Sequence, residues 1–171
     1  MISGFKGWED VAQGLRELAD NQVMEFNDGQ RDSLRAIAAR IGRNGVIIAD
    51  EVGMGKTRIA AAVAKCVINA GGRVAILAPP GLGFQWRDEL QRAGISTPPI
   101  LRSLWQFLKA WEDKQSPKPW FSQNALLVSH AFANWRLGGR SENWRWALVP
   151  ELYAHWIKHI NGRLPQDYKN E

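Results

Sequence analysis

One short stretch constrains this chain more than any other: a strand-like run, a loop with two glycines and a helix-favouring segment follow one another. Residues 45–49 are Gly-Val-Ile-Ile-Ala, residues 50–57 are Asp-Glu-Val-Gly-Met-Gly-Lys-Thr, and residues 59–64 are Ile-Ala-Ala-Ala-Val-Ala. β-Branched residues favour a strand in the first part, and alanine favours a helix in the third. Strand, loop and helix in this order are the context that a phosphate-binding loop requires.

The loop residues have the chemistry to hold a polyphosphate. Gly53 and Gly55 lack a Cβ, so the backbone can curl and bring its N–H groups close to phosphate oxygens. A helix that starts near Lys56 adds the positive end of its dipole at the same place. Lys56 can reach the β- and γ-phosphates, and the Thr57 hydroxyl can ligate Mg²⁺. The common pattern G-x-x-x-x-G-K-[ST] would place its first glycine at Asp50, where this sequence departs from it.

Asp-Glu-x-Gly-x-Gly-Lys-Thr after an apolar strand resembles motif I of the superfamily 2 helicase-like ATPases, most closely that of the Snf2-type DNA translocases. The resemblance implies that ATP and Mg²⁺ are the cofactors and that Lys56 and Thr57 are catalytic, with Thr57 acting through the Mg²⁺ bound to ATP. It implies a nucleotide-binding set of Asp50, Glu51, Val52, Gly53, Met54, Gly55, Lys56, Thr57 and Arg58. The alternative is an ordinary glycine-rich turn between a strand and a helix.

A glutamine upstream of the loop extends the resemblance. Superfamily 2 ATPases carry a glutamine at the start of a helix before motif I that reads the adenine edge. Gln30 lies at the corresponding position in this sequence, four residues after Phe26. An amide suits adenine because it offers both a hydrogen-bond donor and an acceptor. The resemblance therefore adds Phe26 and Gln30 to the ATP-binding residues. The alternative is an exposed glutamine at a helix start beside a core phenylalanine.

Two later strand candidates resemble the part of the family that touches DNA. Residues 73–78 form a nearly continuous apolar run that looks like the strand of motif Ia. The likeness continues in the residues that follow it, which are Leu82, Gln85, Trp86 and Glu89. A second apolar run covers residues 125–128. The resemblance implies contacts with the backbone of duplex DNA from Pro79, Pro80, Gly81, Gln85 and Ser129. Helical spacing predicts that Trp86 is a core anchor rather than a base-stacking group.

Composition narrows the class of protein. The formal net charge of +5 suits a polyanionic partner such as DNA. No apolar run reaches membrane-spanning length and nothing resembles a signal peptide, so we expect a cytoplasmic protein without a membrane partner. The single cysteine, Cys66, lies in the apolar segment after the loop and is expected to be a core residue. Seven of the nine tryptophans lie between Trp105 and Trp156, so the two halves of the chain differ in character.

The order of strands and helices predicts an α/β fold with a parallel sheet and helices on both faces, and the resemblance implies that this fold is a RecA-like P-loop NTPase. The phosphate site is expected at the carboxyl end of a strand at residues 45–49. We divide the chain into N-terminal helices with the adenine-reading glutamine (1–44), a P-loop core with motif I and the motif Ia-like run (45–130), and a Trp- and Arg-rich helical segment (131–171). The sequence contains no Asp-Glu-x-His box (motif II) and no second RecA-like lobe, so we expect an incomplete core from the N-terminal part of a longer helicase-like protein.

Three functional hypotheses follow. The first is the ATP-binding portion of a DNA-dependent helicase or translocase, which is inactive alone and needs the rest of the helicase core, or a second RecA-like lobe, as its partner. The second is a compact P-loop module that acts as a nucleotide-dependent switch or partner-binding protein. The third is a DNA-binding module with a vestigial P-loop, whose affinity for DNA falls steeply with salt and does not respond to nucleotide.

Overall fold

The computed structural model divides the chain into two compact units, Met1–Ala133 and Asn134–Glu171. In the first unit the structure describes residues 4–21, 25–49, 51, 53–97, 99–103, 106 and 123–133. In the second unit it describes residues 153–154, 157–158 and 161–163. The predicted Trp- and Arg-rich segment therefore lies largely outside the described residues. Within the second unit, Tyr153 and Ala154 have helical backbone, and Ala154 is buried.

Three helices form the first part of the fold. They are α1 (Trp8–Asp20), α2 (Asp28–Ala38) and α3 (Lys56–Asn69). Each carries apolar residues at helical spacing, so each has one face to bury. These faces meet in a single apolar cluster, whose largest fully buried side chains are Val11, Leu15, Leu34 and Ile59. Cys66 belongs to the same cluster, which confirms its predicted place in the core.

A parallel two-stranded sheet forms the second part. β1 (Val74–Ala78) pairs in parallel with β2 (Ala125–Ser129), with Val74 opposite Ala125. Both strands coincide with apolar runs that predict strands, so these two predictions are confirmed. Leu101 adds an isolated parallel bridge to β2. Its backbone hydrogen bonds lie on the edge of β2 that faces away from β1, because neighbouring residues of a strand direct their N–H and C=O groups to opposite edges.

Helices cover one face of this sheet. α3 and α4 (Gly83–Arg92) pack against the side chains of β1 through Ala61, Ala64 and Leu90. A short 3-10 helix (Pro80–Leu82) joins β1 to α4, and α5 (His130–Ala133) follows β2. The fold of the described residues is therefore mixed α/β with a small parallel sheet, as the sequence predicts at this coarse level. Among the same residues, no helix combines the length and the apolar character needed to cross a membrane.

The strand predicted at residues 45–49 is not formed. The segment lies outside any strand, no backbone hydrogen bond joins it to another described segment, and Ile47 is 92 % exposed. This segment and β1 both line a cavity of about 690 Å³, whose apolar walls include Val46, Ile48 and Val74. An apolar β-branched run becomes a strand only when a neighbouring strand pairs with its backbone, and no described strand is placed to do so.

The buried thiol gives a first testable prediction. Burial raises the pKa of Cys66 from 9.0 to about 11. Because the thiolate is the reactive form, we expect a thiol reagent at pH 8 to label Cys66 slowly in the folded chain and rapidly in urea. Since the folded pKa lies above the unfolded one, the thiol's contribution to stability is present below pH 9 and is lost as the pH rises toward 11.

Absorbance-monitored labelling and urea melts between pH 8 and 11 measure both effects. Cys66→Ala is the matched variant for the melts, because it removes the titrating group and leaves the other groups that titrate in this range. Native-state labelling as fast as labelling in urea would contradict the burial of this thiol.

Candidate nucleotide-binding site

The loop before α3 has the backbone conformation that glycine permits. Gly53 and Gly55 have φ angles of 93° and 80°, in the left-handed region that L side chains rarely adopt. Gly55 is the N-cap residue of α3, and no side chain caps the helix. The positive end of the α3 dipole is therefore directed at the loop. Asp50 and Val52, which the resemblance assigns to the site, lie outside the described residues.

The Lys56 side chain lies across this loop. Its Nζ donates a hydrogen bond of 2.7 Å to the carbonyl oxygen of Glu51. The N–H of Met54 points to the same oxygen at 3.4 Å. The ammonium is thus held at the loop itself, which is where a phosphate-binding role requires it. A phosphate oxygen is a stronger acceptor for this group than a carbonyl oxygen, because it carries charge.

Gln30 contacts the loop from the start of α2. Its Nε2 donates to the carbonyl oxygen of Met54 at 3.2 Å, although the two residues are 24 positions apart. Its Oε1 accepts from the Asn27 N–H at 3.2 Å, and its own N–H donates to the Asn27 side chain at 2.9 Å, which completes a capping box for α2. Within the described contacts, the amide keeps one N–H and one lone pair unused. The sequence predicts an adenine-reading Gln30 but gives no sign of its contact with Met54.

Gly55 packs directly against the Gln30 amide. A Cβ at position 55 would overlap Nε2 of Gln30, whereas a Cβ at position 53 would meet nothing within 4 Å. Two constraints therefore require glycine at position 55: its positive φ and the close approach of the Gln30 amide. Gly53 is required only by its positive φ. The glutamine and the loop form one packed unit.

Two residues that the resemblance assigns to the ATP site contact protein in this structure. Phe26 is buried in the apolar cluster of α1, α2 and α3. Arg58 donates from Nη1 to the Glu25 carbonyl oxygen at 2.9 Å, and its Nε lies 3.5 Å from Oε2 of Glu89. Arg58 thus braces α3 against α4 and against the segment before α2. Sequence reasoning misses this bracing role, because both partners lie more than 30 positions away in the chain.

The remaining groups fit a triphosphate with its metal. Thr57 is half-buried in the first turn of α3, beside Lys56. An ammonium, a hydroxyl and the N–H groups of a helix start are the donor set that a phosphate chain with Mg²⁺ requires. In the part of the chain that the structure describes, no cluster of three or more His, Cys, Asp or Glu side chains is arranged to hold a metal ion. ATP, Mg²⁺ and the Thr57 role remain predictions.

The predicted nucleic-acid contacts divide into an exposed group and a buried residue. Exposed positions after β1 are Pro79, Pro80, Gly81 and Gln85. Ser129 is 0 % exposed, and its backbone N–H donates to the Leu101 carbonyl oxygen. A hydroxyl buried in this way is not accessible to a phosphate, so Ser129 has a packing position in this structure. Trp86 is half-buried and packs against the cluster of Ala78, Ile100 and Leu127, so it contributes to the apolar packing as predicted.

Comparisons with known proteins identify no relative of this chain. No protein-family model, curated protein sequence or solved structure matches this chain. The likeness to superfamily 2 ATPases therefore rests on the residues of motif I, the upstream glutamine and the motif Ia-like run. The geometry of the packed loop is the structural observation that stands beside it.

Proposed function

We propose that this chain is the ATP-binding portion of a DNA-dependent, helicase-like ATPase of the Snf2 type. The packed loop carries the proposal: Lys56 Nζ lies 2.7 Å from the Glu51 carbonyl oxygen, and the Gln30 amide lies against Gly55. A lysine that can bind phosphate and an amide that can read adenine, brought together at one loop, suit the recognition of ATP. A chance Gly-Lys-Thr turn would not need a glutamine held in contact with it from a separate helix.

Each group then has a distinct role. Lys56 would hold the β- and γ-phosphates, the loop N–H groups would hold phosphate oxygens, and Thr57 would hold Mg²⁺. Gln30 would hold the adenine edge with the N–H and the lone pair that its protein contacts leave unused. When bound, Mg·ATP supplies a γ-phosphoryl group whose charge the metal partly neutralises.

We also propose that the finished fold is the RecA-like parallel sheet with helices on both faces. The Val74 N–H bonds toward β2, so the N–H groups of Ala75 and Leu77 point to the opposite edge of β1. Val74 and Ala75 line the same cavity as Gly45, Val46 and Ile48. Further strands in this space would pair with β1 and turn residues 45–49 into the strand that the motif predicts. The acidic motif II and the second lobe would come from the same remaining part of the helicase core.

The surface after β1 supports the DNA part of the proposal. The exposed turn at residues 79–81 and Gln85 lie at the start of α4, where backbone N–H groups can hold a phosphate without reading bases. The net charge of +5 favours a polyanion in general. Contacts of this kind suit the backbone of duplex DNA.

The test is calorimetric titration of the chain with Mg·ATP, Mg·GTP and Mg·tripolyphosphate. We expect Mg·ATP to bind most tightly, because the Gln30 amide matches the adenine edge and tripolyphosphate has no base. Phosphate release, measured with and without duplex DNA, is expected to stay at background, because the sequence contains no Asp-Glu-x-His box.

The other outcomes distinguish the alternative functions. No binding of Mg·ATP would refute the proposal. DNA binding that falls steeply with salt and ignores nucleotide would then identify a DNA-binding module with a vestigial loop. Nucleotide-dependent capture of a protein partner without DNA binding would identify a switch module.

A further inference from the structure

A small cleft lies between α4 and the segment at residues 99–103, which includes the Leu101 bridge to β2. Phe84 and Arg87 of α4 form one wall, and Ile100 and Arg102 form the other. Its volume is about 200 Å³. Pockets that enclose a whole small molecule usually measure about 300–1,000 Å³. This cleft therefore suits one flat group that belongs to a larger molecule.

Backbone contacts and close packing among the lining residues hold both walls in place. Gln106 fixes the second wall, since its Oε1 accepts from the Arg102 N–H at 2.9 Å and its Nε2 donates to the Ile100 carbonyl oxygen at 3.2 Å. Gly83 lets the first wall approach the second, because it has no side chain, and a Cβ at this position would lie only 2.9 Å from the Ile100 side chain. None of these contacts uses the side chains of Phe84, Arg87 or Arg102. The cleft is preformed, and those three side chains can be changed without dismantling it.

The cleft presents an exposed ring between two cations. Phe84 is 72 % exposed, which leaves a large apolar surface in water. Arg87 is three residues further along α4 and shares its face with Phe84. Neither Arg87 nor Arg102 forms an ion pair with a carboxylate of the described residues. By contrast, four other described arginines form ion pairs, namely Arg16, Arg35, Arg58 and Arg92.

We propose that this cleft holds one unpaired base of a single-stranded nucleic acid, stacked on Phe84, with the neighbouring phosphates at Arg87 and Arg102. Proteins that bind single strands without sequence preference combine an aromatic platform with cationic contacts to the backbone in this way. The exposed turn at residues 79–81 leads into α4, so the cleft continues the predicted nucleic-acid surface. The inference rests on the nucleic-acid part of the proposed function, extends it from duplex to single-stranded nucleic acid, and is independent of the phosphate-binding loop.

The test is fluorescence anisotropy of labelled oligo-dT with the full chain over a series of salt concentrations. Phe84→Leu keeps an apolar side chain but removes the ring. We expect it to weaken binding by roughly 5- to 100-fold, the effect of losing one stacked base, with no change in the salt dependence. Arg87→Ala and Arg102→Ala are each expected to lower the slope of log K against log salt by about 0.7. The matched charge control is Arg40→Ala, whose exposed guanidinium donates to the Ala36 carbonyl oxygen, and it should leave affinity and slope unchanged.

An abasic oligonucleotide of the same length separates stacking from charge. Wild type is expected to prefer oligo-dT, and Phe84→Leu is expected to bind both polymers equally. Unchanged oligo-dT binding by Phe84→Leu would overturn the inference. So would a wild-type chain that does not bind oligo-dT at low salt, in which case the cleft would serve another partner such as a peptide. Mg·ATP titrations of the same preparations distinguish the failure of this inference from the failure of the proposed function. If Mg·ATP binds as expected but the oligo-dT results do not, only the assignment of the cleft is refuted.

Discussion

Lys56→Ala is expected to lower the affinity for Mg·ATP by roughly 100-fold or more. A charge-assisted hydrogen bond is worth about 1.5–3 kcal/mol, and the β- and γ-phosphates offer the Lys56 ammonium more than one acceptor. The described contact of this side chain, to the Glu51 carbonyl oxygen, is with an exposed loop. Calorimetric titration measures the affinity, and a thermal melt checks the fold.

Two variants make the Lys56 result specific. Lys65→Ala removes the same charge from the same helix, away from the loop, and should bind Mg·ATP like wild type. Lys56→Arg keeps the charge but replaces a compact ammonium by a planar guanidinium, so we expect it to recover only part of the affinity. Unchanged affinity in Lys56→Ala would remove this loop as the nucleotide site.

Gly55→Ala is expected to damage both the fold and the nucleotide site, whereas Gly53→Ala should damage mainly the loop. Both substitutions place a Cβ at a positive φ, which costs about 1–2 kcal/mol. At position 55 the Cβ also overlaps the Gln30 amide, while at position 53 it meets nothing within 4 Å. Displacing Gln30 breaks its hydrogen bond to Met54 and opens the capping box of α2, each worth about 1 kcal/mol.

Urea melts and Mg·ATP titrations of the two glycine variants measure this difference. We expect Gly55→Ala to be less stable than Gly53→Ala by about 1–2 kcal/mol and to bind Mg·ATP more weakly. Adding Gln30→Ala to Gly55→Ala removes the overlap, so the double variant should be more stable than the sum of the two single changes predicts. Equal stability of the two glycine variants, or strict additivity of the pair, would show that Gln30 does not pack against the loop.

Sequence alone predicts the parts of this fold that depend on local patterns. The runs that become β1 and β2, the alanine-rich α3 and the apolar packing of Trp86 follow from apolar spacing within a few residues. The run at residues 45–49 has the same local pattern as β1, yet it is not a strand, because pairing depends on a neighbour that local pattern cannot supply.

The candidate site likewise contains residues that local sequence patterns predict and contacts that they do not. The glycines and Lys56 are evident from the motif, since the chemistry of phosphate binding dictates residue types at fixed spacing. The contact of Gln30 with Met54 and the brace from Arg58 to Glu89 join segments far apart in the chain, and neither has a sequence signature. The Phe84 cleft is equally hidden, because its second wall comes from the segment at residues 99–103 and is held by Gln106.

The unpaired segment at residues 45–49 has a thermodynamic consequence for the loop that it precedes. The loop is followed by α3, which packs into two apolar clusters. The loop is preceded by residues 45–49, whose backbone forms no hydrogen bond to another described segment. Ordering such backbone costs about 1–2 kcal/mol per residue, and a ligand that requires the order must supply this free energy from its own binding. A β-strand that paired with residues 45–49 would supply this ordering free energy in place of the ligand. Such a strand would raise the affinity for nucleotide without touching the nucleotide, which is positive cooperativity between sheet completion and ligand binding.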